Sequence, residues 1–206
     1  MSPQLTQAIL LIFVGYLVGS LPMGVIVARL TGGTDPRSVG SGRIGGTNAL
    51  RAMGPGRALA VGLLDVAKGA IPVLIAIWAG ATPVVGALTG VAAVLGAWKS
   101  VFLRFQGGRG VAAGVGGMLA ISVPVVLLSA PVFFGVIAVT RYVSLGSLLG
   151  TAAGALICLA FVALGWLDPG WLLYAAGGTA IVWIAHADNI GRLLSGTERR
   201  LGGSPH

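Results

Sequence analysis

Residues 110–140 read GVAAGVGGMLAISVPVVLLSAPVFFGVIAVT, with Arg109 before them and Arg141 after. The stretch carries no charge, and its apolar residues do not alternate with polar ones as barrel strands would. A chain that leaves one membrane face at Arg109 and returns to it at Arg141 needs two spans, about 40 residues if both are straight. Only 31 are present, and Pro124 sits near their middle. At about 1.5 Å per residue, the first of the two cannot cross a full bilayer. It must start inside the protein. Irregular backbone at that depth is tolerated only where protein buries it or it lines a wet cavity. The spacing therefore places Gly107-Gly108-Arg109-Gly110 in the wall of a cavity open to the basic face.

The same pattern extends along the chain. The thirteen Lys and Arg residues fall in clusters: Arg29 to Arg57, then Lys68, then Lys99, Arg104 and Arg109, then Arg141, then Arg192, Arg199 and Arg200. Lys and Arg in short loops set the orientation of a membrane protein. If the clusters share one face, the gaps after Lys68, Arg109 and Arg141 are each an out-and-back hairpin, and the apolar N-terminal stretch is a further crossing. The fold class predicted is an all-α integral membrane protein with seven transmembrane segments. They are 5–30, 57–79, 83–99, a short fourth at 110–122, 124–140, 147–166 and 171–187. The N-terminus lies outside and the C-terminus in the cytoplasm. Residues 1–206 form one transmembrane domain. The segment 5–30 is long for a signal-peptide core and runs on in apolar chain past Gly19-Ser20-Leu21-Pro22, so it reads as a retained span.

Composition agrees. The chain is 56% hydrophobic and 9% charged, with mean hydropathy +0.96, against roughly 25% charged residues in a soluble domain. A net charge of +8 raises nucleic acid as a partner, but the charges sit between apolar segments, where membrane topology accounts for them. Anionic lipid and anionic substrates are the partners predicted; no nucleic acid is, and oligomeric state is not legible. Cys158 is the single cysteine, so no intramolecular disulfide or cysteine metal cluster is available, and His186 has no neighbouring Cys or Glu for a metal site. No metal and no cofactor is predicted. Thirty-five glycines fit closely packed helices.

Two glycine-rich segments carry the candidate chemistry. The long loop 31–56 contains Gly40-Ser41-Gly42-Arg43, Thr47-Asn48 and Arg51. Such turns can aim backbone N–H groups at one anion, and a helix beginning at Asn48, with Thr47 or Asn48 as its cap, would add positive charge. Arg51 would offer a planar fork to a phosphate. The bland alternative is a solvated loop whose arginines only fix topology. Gly107-Gly108-Arg109-Gly110 has the same layout before the short fourth segment: free N–H groups, a helix N-terminus and one cation. It is not a Walker P-loop, which needs Gly-x-x-x-x-Gly-Lys-Ser/Thr. His186 and Asn189 close the seventh segment three residues apart, so one helical turn would present both to the cytoplasmic mouth. Asp65 and Lys68 share a helix face and would pair to steady the inner loop. Ser144 and Ser147 follow Arg141-Tyr142, where a capping serine is the bland account.

Taken together these residues resemble a known family. Gly40-Ser41-Gly42 with Gly45, Thr47-Asn48 and Arg51 resembles the first cytoplasmic motif of the PlsY acyltransferases, the acyl-phosphate:glycerol-3-phosphate acyltransferases. Residues Phe102–Ala112 resemble the second motif and His186–Glu198 the third. Asp65–Gly69 and Arg141–Ser147 match lesser signatures. The resemblance covers nearly the whole chain. It implies transfer of an acyl group from acyl phosphate to the primary hydroxyl of glycerol 3-phosphate, in phospholipid synthesis at the cytoplasmic face of the bacterial plasma (inner) membrane. It also implies catalytic roles for Ser41, Arg51, Arg109, His186 and Asn189. Substrate contacts are implied from Gly40, Gly42, Thr47, Asn48, Gly107, Gly108, Gly110, Ser147 and Arg192. The chain departs from the family pattern at Arg43, usually Asn, at Ala97, usually His, and at Ser100, usually Pro. Arg109 stands for the more usual Lys, and Ala187-Asp188 for an Arg-Glu pair.

An acyl phosphate is already activated, so catalysis should rest on positioning and on neutralising two phosphates. Either His186 or a substrate phosphate takes the proton of the attacking hydroxyl, with the substrate phosphate favoured. Two competing readings are an anion or phosphate-ester transporter and a catalytically weak paralogue with a binding role. A transporter needs a path to both faces, and the outer turns near 80–83, 122–124 and 167–169 carry almost no charge.

Overall fold

The computed structural model describes residues 2–202; Met1 and residues 203–206, His206 among them, lie outside the described residues. All regular elements among the described residues are helical. The α-helices are α1 Pro3–Gly19, α2 Met23–Leu30, α3 Gly46–Met53, α4 Pro55–Trp78, α5 Pro83–Trp98, α6 Val111–Ile121, α7 Val123–Thr140, α8 Val143–Ala163, α9 Leu172–Ala185 and α10 Ala187–Leu194. Short 3-10 turns stand at Pro36–Ser38, Val101–Leu103 and Pro169–Trp171. Helices α4, α7 and α8, and α5 together with the 3-10 turn that follows it (Pro83–Leu103), are long and apolar enough to cross a membrane, and so are the bent pairs α1 with α2 and Pro169–Ala185 with α10 if each pair is one span. At 11 residues, α6 is too short to span. The chain is an all-helical, multi-pass membrane protein. Its flank is plain at α7, which buries only Val125 and exposes Leu127, Leu128, Phe134 and Val139.

The first predicted segment, 5–30, is not one straight helix. It bends by 47° between α1 and α2. Pro22 supplies no N–H to the ladder and its ring opposes a continuing helix. Lys68 Nζ donates at 3.0 Å to the Leu21 carbonyl, which also accepts from the Met23 N–H, and pairs with Asp65 at 2.8 Å. That pair is therefore a brace for the break in the first span, a correction to its placement at the inner loop. Ser100, where the resembling family usually has Pro, donates to the Ser20 carbonyl at the same break. The predicted seventh segment, 171–187, likewise ends early. Helix α9 stops at Ala185 and the chain turns by 60° into α10. Helix α8 starts at Val143 rather than 147, directly after Arg141, whose φ of +62° ends α7.

Small residues bring α4 and α6 together: a Cβ at Gly69 would strike the Ala113 carbonyl, and one at Gly116 the Val66 carbonyl. Tyr174 on α9 donates its hydroxyl to the Gly114 carbonyl at 2.7 Å, so the short helix is held from both sides. Val94, Met118, Val125, Cys158, Tyr174 and Val182 form the buried core below it.

Candidate active site

One cavity of about 630 Å³ opens among the basic helix ends and continues between α4 and α6 on one side and α7 and α8 on the other. Its mouth is lined by Ser41, Thr47, Asn48, Arg51, Gly108, Arg109, Gly110, Ser147, His186, Asn189 and Arg192. These come from four separate stretches of chain, and the fold brings them together. Its depth is apolar, lined by Leu63, Val66, Val115, Met118, Val126, Phe133, Phe134 and Ala155. Gly40, Gly42 and Gly107 do not line it.

The first loop is built around Asn48, which is 3% exposed. Its Nδ2 donates to the carbonyls of Pro36 (2.6 Å), Arg43 (2.8 Å) and Val39 (3.1 Å), and its Oδ1 accepts from the Ser41 N–H at 3.2 Å. Asn48 is thus not the cap of α3; Gly45 holds that position without a side-chain bond. Gly40 and Gly42 turn the chain at positive φ, and Gly40 lies against the Asn48 amide. Ser41 Oγ accepts from the Arg43 N–H at 3.4 Å. Arg51, in the last turn of α3, faces the cavity.

The second loop differs from the predicted cradle. The Gly107 N–H donates to the Trp98 carbonyl at 3.0 Å and the Gly108 N–H to the Ala97 carbonyl at 2.9 Å. Both amides satisfy carbonyls that the end of α5 would otherwise leave open, so neither is free for an anion. No Cβ fits at Gly107, against those same two carbonyls. The donors left at this corner are Arg109 and the first turn of α6, which Gly110 enters at φ +76°.

Arg109 is held by Asp188, with Nη2 3.0 Å from Oδ2 and its side chain 17% exposed. Burial lowers the Arg109 guanidinium below its ordinary value against the pull of Asp188; it remains a cation at neutral pH. Asp188 Oδ2 also takes Arg192 at 3.4 Å. Burial works to raise the Asp188 carboxyl, but Arg109, Arg192 and Arg43 together hold it below the usual carboxylate range. His186 sits in the bend after α9, 2% exposed. Its Nδ1 lies 2.8 Å from the Val182 carbonyl, so the neutral ring carries its proton there and leaves Nε2 as an acceptor. Asn189 stands on α10, not on the same helix as predicted for the pair, yet both reach the cavity. Two buried polar atoms in this mouth, Arg109 Nε and Asn189 Oδ1, have no partner among the described residues. Ser147 Oγ donates to the Val143 carbonyl at 2.9 Å.

Sequence reasoning missed Glu198 as an organiser. Its carboxylate, 7% exposed, accepts from Asn189 Nδ2 (2.7 Å), Arg192 Nε (2.7 Å) and Ser144 Oγ (2.9 Å). The chain beyond it returns to the turn between α7 and α8, where the Leu201 N–H donates to the Arg141 carbonyl at 2.7 Å. The available signal was a lone acid amid Arg192, Arg199 and Arg200. Lys68 and Arg43 also line the cavity and were not counted in the site.

Residues 9–196 match the family model described as glycerol-3-phosphate acyltransferase. The chain is 44% identical over 198 residues to a glycerol-3-phosphate acyltransferase of Thermus thermophilus, covering 96% of this chain and 97% of that protein. It is 43% identical over 195 residues to one from Rubrobacter xylanophilus, covering 95% and 96%. Among solved structures it is similar to PlsY, an integral membrane glycerol 3-phosphate acyltransferase, in its glycerol 3-phosphate form. The TM-score is 0.86 at 39% identity, over 95% of this chain and 96% of that one. The lysophosphatidic acid form of PlsY matches with a TM-score of 0.84 at 36% identity, over the same shares. By matched length and by identity across nearly the whole chain, this protein belongs to the glycerol-3-phosphate acyltransferase family.

Proposed function

We propose that this chain, acting as one transmembrane domain, transfers an acyl group from acyl phosphate to the primary hydroxyl of glycerol 3-phosphate. The products are 1-acyl-glycerol 3-phosphate and inorganic phosphate. The observation that carries this reading is the continuity of the cavity: an arginine-rich mouth runs into an apolar depth. Only a molecule with an anionic head and a hydrocarbon tail satisfies both ends.

The hydroxyl oxygen attacks the acyl carbonyl carbon, the carbonyl-carbon bond to the phosphate oxygen breaks, and phosphate leaves. Arg51 and Arg109 neutralise the two phosphates and hold the reacting atoms in line. Arg192, Thr47, Ser41 and Ser147 complete the polar wall around the head groups. His186 Nε2 and Asn189 Oδ1 are acceptors that hold the acceptor's hydroxyls. The attacking proton passes to a substrate phosphate oxygen. On this account His186→Ala raises KM for glycerol 3-phosphate, and its pH profile keeps an ascending limb. A kcat down by orders of magnitude with unchanged KM and no ascending limb makes His186 the base instead.

The seven segments are α1–α2, α4, α5, α6, α7, α8 and α9, with the N-terminus outside and the site at the cytoplasmic face of a bacterial plasma membrane. The clustering of Lys and Arg at the cavity end supports this, as do outer turns without Lys or Arg. Labelling of single cysteines in a Cys158→Ala background tests it; outside labelling at position 104 or 192 in intact cells reverses the orientation. The activity is tested with purified protein in lipid vesicles, labelled glycerol 3-phosphate, and either acyl phosphate or acyl-CoA. Lysophosphatidate formed from acyl phosphate alone is the expected result. Absence of product defeats the function, and comparable rates with acyl-CoA defeat the donor.

A further inference from the structure

Arg43 is held by its backbone and unused by its side chain. Its N–H donates to Ser41 Oγ at 3.4 Å, its carbonyl accepts from Asn48 Nδ2 at 2.8 Å, and Ile44 beside it is buried. Its guanidinium makes no hydrogen bond or ion pair among the described residues, yet it lines the cavity mouth. An unpaired, half-buried cation facing other cations is costly unless an anion joins it. Arg43 also stands near enough to Arg109 and Asp188 to act on both electrostatically. One carboxylate oxygen, Asp188 Oδ2, serves both Arg109 and Arg192. Two guanidiniums thus pair with one carboxylate, and the third acts on it from nearby. Arg109 Nε is a buried donor without a partner among the described residues.

We infer that Arg43 is a further substrate-binding residue, which with Arg109 clamps the phosphate of one phosphorylated substrate, and that Asp188 is the internal anion this phosphate displaces. The inference rests on the acyl-transfer reading of the cavity. The ligand chemistry is a terminal phosphate, present on acyl phosphate, on glycerol 3-phosphate and as inorganic phosphate. A phosphate offers more acceptor oxygens than a carboxylate and matches the planar guanidinium fork. Since the fold does not use the Arg43 side chain, its removal leaves the loop's hydrogen bonds in place.

The test uses the full chain in lipid vesicles, with Arg43→Asn and Arg43→Lys. Each substrate is varied while the other is saturating, and thermal midpoints are read with and without inorganic phosphate. Arg43→Asn should raise KM for one substrate about tenfold, the size of one partly exposed charge-assisted contact, with kcat little changed and with less stabilisation by phosphate. Arg43→Lys should restore part of both. The KM that moves identifies which substrate the clamp holds. Unchanged KM values and unchanged phosphate stabilisation in Arg43→Asn overturn the inference, as does an equal fall in thermal midpoint in both variants without phosphate. A wild-type protein that turns over nothing but loses phosphate stabilisation on Arg43→Asn would defeat the acyl-transfer reading and leave the phosphate clamp standing.

Discussion

The loop at Gly40–Gly46 and the loop at Gly107–Gly110 are both glycine-rich, both carry an arginine, and both stand on the cavity rim, yet they are built by opposite means. In the first, a buried side chain does the organising. Asn48 takes three carbonyls and one amide. In the second, the main chain closes on itself, as the amides of Gly107 and Gly108 cover the open carbonyls of α5. The comparison teaches that glycine spacing marks where backbone turns or approaches closely. It does not say which way the N–H groups point. In both loops the fold itself takes up amides that looked available for a ligand, and guanidiniums supply much of the positive charge at the mouth.

The largest expected effect tests the arginine of the second loop. Arg109→Ala should lose about 2–4 kcal/mol of transition-state stabilisation, roughly thirtyfold to a thousandfold in turnover. Arg109→Lys should keep much of the rate, because it keeps the charge and loses only the fork. Near-wild-type turnover in the Ala variant would show that the second loop holds no reacting phosphate.

Next comes the organiser of the first loop. Asn48→Ala removes four hydrogen bonds and leaves buried carbonyls unpaired, at about 1–3 kcal/mol for an unsatisfied group. A lower unfolding midpoint in detergent and faster proteolysis within 31–45 are expected. A variant as stable as wild type would mean that the loop does not depend on this side chain.

A smaller effect probes how the second loop closes. Gly107→Ala places a methyl against two carbonyls and should cost about 1–3 kcal/mol. Gly45→Ala meets open space around its Cβ at φ −75°, so it should cost only about 0.5–1 kcal/mol, the penalty of a poorer N-cap residue on α3. Equal midpoints for the two variants would remove the contrast between the loops.

The smallest effect is electrostatic. The Asp188 carboxyl titrates below its unfolded value, so its pairing stabilises the fold fully above about pH 4. That contribution fades as pH falls through the lower folded value. Asp188→Asn should therefore lower the stability plateau slightly at neutral pH, where the pairing contributes in full, and flatten the acid limb of a stability-against-pH curve. An unaltered acid limb would show that Asp188 is not held by the arginines.

Much of the architecture was legible in the chain because membrane insertion imposes one-dimensional rules. The long apolar runs around 57–79, 83–99, 124–140 and 147–166 became the helices of the candidate spans. The 31 residues between Arg109 and Arg141 left no room for two full spans, and α6 is short for that reason. The arginine clusters and the family motifs at 40–51, 102–112 and 186–198 brought most of the candidate site into view. Tertiary structure alone decided the rest. Pro22 signals a break, but only packing puts Lys68 under the Leu21 carbonyl to sustain it. A glycine pair signals close approach, but only the end of α5 determines that Gly107 and Gly108 spend their amides there. Glu198 is one acid among arginines in the sequence, and its three partners come from α8 and α10. Local patterns record length, polarity and backbone freedom, which act along the chain. Which donor meets which acceptor across the bundle depends on distances that no local pattern contains.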